Sequence, residues 1–384
     1  MRYHLELPTK ESSANTPLKQ LNPMKVALVM ALMLRLFYAV AGALFSLRLK
    51  LDPAMVRLNH FTDHLIPQSD RLRFALLGVW ERFDTLFYIH IAQAGYDRPD
   101  SVVFPPLYPG LIWLLTFLTG NPLVSALIIS TLASYLLFWA FYRLALSDLH
   151  PDAAARALIF YAVWPTSFIF FAGYPDSLTI ALMLWAMVFA RSDRWWLAGI
   201  AGFLAGLAKA VGMLVVVPLA ILAWKKRSWR AAPALLSGTG YLAYMAWLYG
   251  TQRMLPGESY TRFWNSTPAP PWETIPYTIH NFLANYSILR VHVVIALVTM
   301  ILALSKWIRG EYVAYVLAAV LFIFTKKSDP SQQQLARYLL ILFPAPLCLG
   351  FWLKWGGIVA VAALASLVLN LLFFWGFMNW WLVA

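Results

Sequence analysis

The stretch Trp80–Gly110, WERFDTLFYIHIAQAGYDRPDSVVFPPLYPG, gathers acidic and aromatic residues, glycine and proline inside a chain that is otherwise lipid-like. Glu81 and Asp84 lie three residues apart, so on a helix they would share one face. The prolines of the run 105–109 are not expected to begin a regular helix. A chain made mostly of membrane spans has no packing reason to keep such a segment. We therefore interpret this stretch as the functional site.

The composition around this stretch predicts an all-α polytopic membrane protein. Hydrophobic residues make up 61% of the 384 residues and charged residues 12%, which exceeds the apolar content that one soluble core can hide. The net charge of +13 comes from Lys and Arg that mostly bracket apolar runs. This is the positive-inside pattern, so we expect membrane lipids and no nucleic acid as partners. The single cysteine, Cys348, allows no intrachain disulfide.

The apolar runs predict about 11 transmembrane helices, with a long outer first loop. We expect residues 1–24 to be a disordered cytoplasmic tail and residues 25–384 to form a single transmembrane domain, with outer loops at 48–121 and 250–286. The apolar piece Leu107–Thr119 is too short to span and should lie at the outer surface or dip into it. Basic clusters on both sides of 195–224 predict two short spans with Lys209 near the outer turn.

Several cations sit where membrane insertion disfavours them. Arg35 is near the middle of the first apolar run, where an ionisable residue is either functional or snorkels and pairs with another helix. Lys326, Lys327 and Arg337 fall on the expected outer side, against the charge rule. Something at that side is therefore expected to require positive charge.

The motifs of the opening stretch resemble a known family. The order Arg82-Phe83-Asp84-Thr85, Ile91-Ala92, Gly95-Tyr96 and Phe104-Pro105-Pro106-Leu107-Tyr108-Pro109 resembles the R-W-D-(A/S)…I-A-x-x-G-Y…F-F-P-L-Y-P signature of the GPI mannosyltransferase 2 (PIG-V) family. Three later segments resemble its P-A-S…Y-S-E-S-L, L-T-R-P-T-G…P and R-Y-L…F-P motifs: Pro165-Thr166-Ser167 with Tyr174-Pro175-Asp176-Ser177-Leu178, Leu207-Ala208-Lys209-Ala210-Val211-Gly212 with Pro218, and Arg337-Tyr338-Leu339 with Phe343-Pro344.

This chain departs from the family pattern at three positions. Phe83 replaces Trp and Asp176 replaces Glu, and both changes keep the chemistry. Lys209 replaces Arg, which keeps the charge but loses the two-pronged guanidinium that suits phosphate.

The resemblance implies a GT-C glycosyltransferase with its site on the outer face. GPI intermediates are eukaryotic substrates, and this chain is shorter and more divergent than that branch of the family, so we expect a homologue in a bacterial plasma membrane. Such an enzyme moves a sugar, typically mannose, from a polyprenyl-phosphate donor to a glycan or glycolipid acceptor with inversion, and no cofactor is implied. The residues fit this chemistry, because inverting transfer needs a carboxylate base and a lipid phosphate leaving group needs fixed cations. The candidate catalytic acids are Asp84 and Asp176. The candidate substrate-binding residues are Arg82, Glu81, Tyr88, Tyr108, Lys209, Arg337, Lys326 and Arg35.

Other interpretations of the acids remain open at this point. Asp84 could be a loop carboxylate paired with Arg82, Glu81 its solvated neighbour, and Asp176 a residue favoured simply by a tight turn. The loop residues His60, Asp63 and His64 have no further ligand nearby, so we expect no metal.

Two other classes of protein compete with an enzyme. A polytopic transporter or lipid flippase would place polar residues at mid-membrane in discontinuous helices. A binding subunit with a dead site is the third possibility. Convergence of Asp84, Asp176 and Arg337 at one outer cavity would favour the enzyme.

Overall fold

The computed structural model describes residues 22–51, 65–251, 253–284, 289–305, 309–328 and 335–381. The expected tail at 1–24 therefore lies almost wholly outside the described residues, as do His60, Asp63 and His64. Within the described residues the fold is helical apart from two short strands, in agreement with the all-α prediction.

Seventeen α-helices are present in the described residues: α1 Pro23–Ser46, α2 Arg71–Leu76, α3 Asp84–Ala94, α4 Leu107–Thr119, α5 Pro122–Asp148, α6 Pro151–Ala162, α7 Asp176–Arg191, α8 Trp195–Ala208, α9 Val216–Lys226, α10 Gly240–Gly250, α11 Pro256–Phe263, α12 Pro271–Ala284, α13 Leu289–Ala303, α14 Gly310–Ile323, α15 Leu335–Tyr338, α16 Pro344–Trp352 and α17 Gly356–Met378. Stretches of 3₁₀ helix lie at Gly78–Trp80, Pro99–Val103, Ser167–Phe171, Ala210–Val215, Trp229–Gly238 and Leu339–Ile341. The strands β1 Ser266–Pro268 and β2 Lys326–Ser328 pair antiparallel, with Ser266 opposite Ser328.

Three helices of the described residues are long and apolar enough to cross a membrane: α1, α5 and α17. A fourth crossing is present if Leu335–Ile341 and α16, which meet at 82°, form one bent span. Other apolar runs are broken into shorter helices. The stretch 195–224, for example, breaks at Lys209 between α8 and the following 3₁₀ turn. The count of about 11 crossings remains a prediction.

The expected first outer loop contains three helices of its own, α2 to α4. The short apolar piece Leu107–Thr119 forms helix α4 with these same bounds. The run 105–109 was expected not to begin a regular helix. This expectation is wrong, because α4 begins at Leu107, inside the run. Pro109 falls in the first turn of α4, where backbone N–H groups have no intrahelical acceptor and proline is tolerated.

An aromatic core holds the beginning of the first loop against α1 and α17. Trp80 stacks on Phe374 with ring centroids 5.1 Å apart. The Tyr38 hydroxyl of α1 donates to Asn370 Oδ1 of α17 at 3.0 Å, and Asn370 Nδ2 donates to the Trp164 carbonyl at 2.7 Å. The Trp80 contact fixes the segment that leads into Asp84 against α17, and the Asn370 hydrogen bonds tie α17 to α1 and to Trp164.

Candidate active site

Arg337 joins the two candidate acids. Its Nη1 lies 2.8 Å from Asp84 Oδ2, and its Nη2 lies 3.0 Å from Asp176 Oδ2. Lys209 Nζ lies 2.7 Å from the other oxygen of Asp176. The structure thus brings together four residues that come from four separate motifs of the sequence. The guanidinium suits this bridge because its planar fork presents two donors in fixed directions.

The four side chains of this cluster differ in their access to solvent. Arg337 and Asp176 are only 2% and 3% exposed, whereas Asp84 and Lys209 are 17% and 20% exposed. Asp84 and Lys209 are therefore the members that a substrate can reach first. Asp176 and Arg337 form the charged support behind them.

Asp84 is placed by an unusual backbone turn. The residue before it, Phe83, has φ 47° and ψ −120°, a backbone conformation that residues other than glycine rarely adopt. The Phe83 ring is held between Phe377 and Trp380, with centroids at 5.9 and 5.2 Å. Helix α3 starts immediately after this turn, so Asp84 occupies its first position. The surrounding aromatic packing stabilises the strained turn.

Asp176 is the first residue of α7, and a close contact fastens this helix to α3. A Cβ built on Gly173 would lie 2.6 Å from Thr85 Cγ2. Only glycine lets the chain before α7 approach Thr85, the neighbour of Asp84, so closely. The two acids are thereby held beside each other from different parts of the sequence.

Aromatic rings surround the cations of the cluster. The Tyr174 ring centroid is 4.3 Å from Arg337 Cζ. The Tyr338 ring lies 5.7 Å from Lys209 Nζ and 5.5 Å from Lys326 Nζ. Lys326, on strand β2, is also 4.2 Å from the Tyr260 ring. The structure thus places Lys326 at the edge of the cluster, where a cation can contact an aromatic face favourably.

Tyr260 and Tyr338 were not among the candidates from the sequence. Tyr338 follows Arg337 directly and belongs to the R-Y-L motif, which could have indicated it. Tyr260 lies in a segment without a recognisable motif. It comes close to Lys326 because β1, which follows the helix of Tyr260, pairs with β2, which contains Lys326.

Tyr88 and Tyr108 form a buried aromatic pair beside the cluster, with centroids 5.1 Å apart. Burial raises the pKa of the Tyr88 phenol, and the carboxylates of Asp84 and Asp176 raise it further, so this hydroxyl stays protonated. The Tyr108 hydroxyl lies 3.0 Å from the Ala126 carbonyl, to which it donates, and 2.7 Å from Ser130 Oγ. Both tyrosines are at most 2% exposed and support the site from inside.

Arg82 and Glu81 lie outside the cluster. Arg82 Nε donates to the Met378 carbonyl at 2.9 Å and Nη1 donates to the Gly78 carbonyl at 2.8 Å. Glu81 Oε2 accepts from the Ile66 amide at 2.8 Å, and burial raises the pKa of this carboxyl. The expectation that Glu81 shares a helical face with Asp84 is wrong, because the turn at Phe83 separates Glu81 from α3. Asp84 pairs with Arg337 and not with Arg82.

Arg35 also lies apart from the cluster. Its Nη1 donates to the Phe171 carbonyl at 2.8 Å, and its guanidinium is 5.2 Å from the Trp80 ring. Arg35 was expected to be either functional or paired with another part of the protein. Its contacts with the Phe171 carbonyl and the Trp80 ring match the second alternative. Among the described residues, no group of three or more His, Cys, Asp or Glu side chains is arranged to hold a metal ion.

Comparison with known proteins finds one family model and two curated relatives. The family model described as glycosyltransferase family 87 matches residues 103–350, which include Asp176, Lys209 and Arg337 and begin after Asp84. GPI alpha-1,6-mannosyltransferase 2 of Mus musculus is 27% identical over 213 residues, which cover 50% of this chain and 41% of the relative. The Rattus norvegicus protein of the same name is 27% identical over 197 residues, covering 47% of this chain and 40% of the relative.

The matched part therefore spans about two fifths of the length of these curated relatives. No solved structure matches the chain. The resemblance to the GPI mannosyltransferase 2 family of GT-C enzymes is confirmed. The family-model match covers more than half of the chain, which therefore belongs to glycosyltransferase family 87.

Proposed function

We propose that this protein transfers mannose from a polyprenyl-phosphate carrier to a glycan or glycolipid acceptor, with inversion, at the outer face of a bacterial plasma membrane. The observation that carries the proposal is the Arg337 bridge between Asp84 and Asp176, with Lys209 on the far oxygen of Asp176. This arrangement provides a reachable carboxylate and a reachable cation a short distance apart. Those are the two groups that the reaction needs.

Asp84 is the general base of the proposed reaction. Arg337 contacts Asp84 Oδ2, which leaves Oδ1 to face the acceptor hydroxyl. Oδ1 takes the hydroxyl proton while the acceptor oxygen bonds to the anomeric carbon and the bond from that carbon to the phosphate oxygen breaks. The electron pair leaves with the polyprenyl phosphate. No covalent bond to the protein forms, so the configuration at the anomeric carbon inverts.

Lys209 and Lys326 stabilise the departing phosphate. Lys209 is partly exposed, and both amines approach the Tyr338 ring. In the group Asp84, Asp176, Arg337 and Lys209 two negative and two positive charges balance, and Lys326 adds a further cation at the edge of this group. A fixed cation beside the leaving group stabilises the negative charge that develops there.

Asp176, first considered as a second catalytic acid, acts in this proposal as a positioning residue. Both of its oxygens are engaged, one by Arg337 and one by Lys209, and it is 3% exposed. It holds the two cations at a fixed separation. The substrate meets Asp84 and Lys209 and does not touch Asp176.

A transfer assay in proteoliposomes tests the proposal against a flippase. The purified full chain receives polyprenyl phosphomannose labelled in the sugar, together with envelope lipid extract as acceptor. We expect label in a new product and release of one polyprenyl phosphate for each sugar transferred. Movement of intact donor between leaflets without release of polyprenyl phosphate would contradict the proposal and favour the transporter class.

A further inference from the structure

Two adjacent turns at the end of the molecule opposite Asp84 carry a surface rich in arginine and tryptophan. One turn joins α7 to α8, and the other joins α9 to the 3₁₀ stretch at Trp229–Gly238. Lys226 Nζ lies 2.7 Å from Asp193 Oδ2, which ties the two turns together. We call residues 193–196 and 224–230 the arginine-tryptophan surface. Asp176 lies at the start of α7 and this surface lies at its end. With a rise of 1.5 Å per residue, α7 places the two about 24 Å apart along the helix axis.

This surface has an excess of positive charge. Arg194, Arg227 and Arg230 are exposed, and none of them has an acidic partner among the described residues. The two nearby acids are already engaged, since Asp193 pairs with Lys226 and the buried Glu311 pairs with Lys225 at 2.7 Å. The three guanidinium groups are therefore available to an external anion.

Three tryptophans flank these arginines. Trp196 is 68% exposed, Trp224 is 83% exposed and Trp229 is 85% exposed. Indole rings are favoured at the boundary between lipid tails and headgroups. An integral membrane protein with exposed indoles at the ends of apolar helices therefore holds the neighbouring arginines at the depth of lipid phosphates. A guanidinium can bind a phosphate through two parallel hydrogen bonds.

We propose that the arginine-tryptophan surface binds the headgroups of anionic glycerophospholipids. This site is separate from the transfer site and does not depend on its chemistry. The arginines supply the attraction to the negatively charged phosphodiester, and the tryptophans fix the depth at which the surface meets the bilayer. A zwitterionic lipid carries a compensating positive charge on its headgroup and is held less strongly. The predicted preference is about fivefold for each arginine, from the usual contribution of a basic side chain near an anionic surface.

Native mass spectrometry of the full chain tests this site. The protein is purified in mild detergent and supplied with equal amounts of phosphatidylglycerol and phosphatidylcholine with the same acyl chains. We expect preferential retention of phosphatidylglycerol by the wild type. The variant Arg194→Gln/Arg227→Gln/Arg230→Gln should lose that preference while still eluting as a single folded species.

The matched control removes three exposed arginines from another region, in the variant Arg71→Gln/Arg73→Gln/Arg262→Gln. It changes the net charge equally and should keep the preference. Glycerol phosphate added in solution should not displace the lipid. Equal retention of the two lipids by the wild type would overturn the proposal. An equal loss in the two triple variants would overturn it too, as would displacement by glycerol phosphate.

Discussion

Arg337 carries a full charge at 2% exposure, so its environment must supply the stabilisation that water would otherwise give. Asp84 and Asp176 provide it from two sides, and Lys209 balances the second acid. Each of these side chains depends on the others. Removal of one member leaves an uncompensated charge inside the protein.

The variant Asp176→Asn should destabilise the fold strongly. It leaves Arg337 and Lys209 without the carboxylate that both contact, and breaking a buried ion pair from one side typically costs about 3–5 kcal/mol. Thermal unfolding of the purified protein in detergent measures this loss. The control Asp193→Asn removes an acid that is 58% exposed and paired with the exposed Lys226, and should change little. Similar melting temperatures for Asp176→Asn and the wild type would contradict the proposed support.

The variant Lys209→Ala should weaken the handling of the donor. A charge-assisted bond to a phosphate contributes about 1–3 kcal/mol, so the donor KM should rise or kcat fall by a factor of about 5–150, with the acceptor KM unchanged. Steady-state kinetics with each substrate varied in turn separates these effects. Arg262→Ala, which removes an arginine that is 61% exposed, is the control. Unchanged donor kinetics in Lys209→Ala would move the phosphate contact to Lys326.

At the scale of elements, the site depends on two helices that begin at the same place. Helix α3 starts at Asp84 and α7 starts at Asp176, and the chain before α7 contacts Thr85 through Gly173. Their first turns therefore present both carboxylates to Arg337. The separation of these helix starts decides whether one guanidinium can reach both acids.

The variant Gly173→Ala tests this spacing. Its new methyl group would lie 2.6 Å from Thr85 Cγ2 and 3.0 Å from Thr85 Oγ1, so the two helix starts must move apart. We expect transfer activity to fall at least tenfold in a protein that still folds. The double variant Gly173→Ala/Thr85→Ala removes both atoms, leaving a nearest Thr85 contact of 3.3 Å to the Cβ, and should recover activity. No recovery in the double variant would show that this contact does not set the geometry.

The sequence predicted the members of the cluster better than it predicted their surroundings. Asp84, Asp176, Lys209 and Arg337 each belong to a motif, and each motif marks a break or a start of a helix. The burial difference between Asp84 and Asp176 could not be predicted, because it depends on contacts between residues more than ninety positions apart. The separation of Glu81 from Asp84 was missed because helical periodicity says nothing about the positive φ at Phe83.

At the scale of the whole molecule, charged groups gather at two opposite ends. Asp176 begins α7 in the cluster with Arg337. At the other end of α7, Arg191 contacts Asp148 at 3.0 Å, and the Tyr312 hydroxyl donates to Asp148 at 2.8 Å. The segment that contains α9 connects the same two ends. Lys209 before it pairs with Asp176, and Lys225 at its end pairs with Glu311. The basic clusters along the sequence predict that the Arg191 end faces the cytoplasm.

Cysteine labelling of intact cells tests that orientation. Ser69→Cys should react with an impermeant thiol reagent from outside, and Ser192→Cys only after permeabilisation, since both positions are exposed. The native Cys348 is buried and is replaced by Ala as a precaution. Ser101, which lies in the same expected outer loop, is fully buried and therefore unsuitable for labelling. Labelling of Ser192→Cys from outside would invert the assignment of the two ends.

The most direct test of the central claim compares transfer by Asp84→Asn with transfer by Glu81→Gln at saturating donor. Asn keeps the shape of Asp84 and cannot take the acceptor proton, so turnover should fall by about 10²–10⁴, the usual contribution of a general base. Donor binding and the elution profile should remain. Gln at position 81 can still accept from the Ile66 amide, so that variant should retain most activity. Near-normal turnover in purified, folded Asp84→Asn would contradict the assignment of Asp84 as the base.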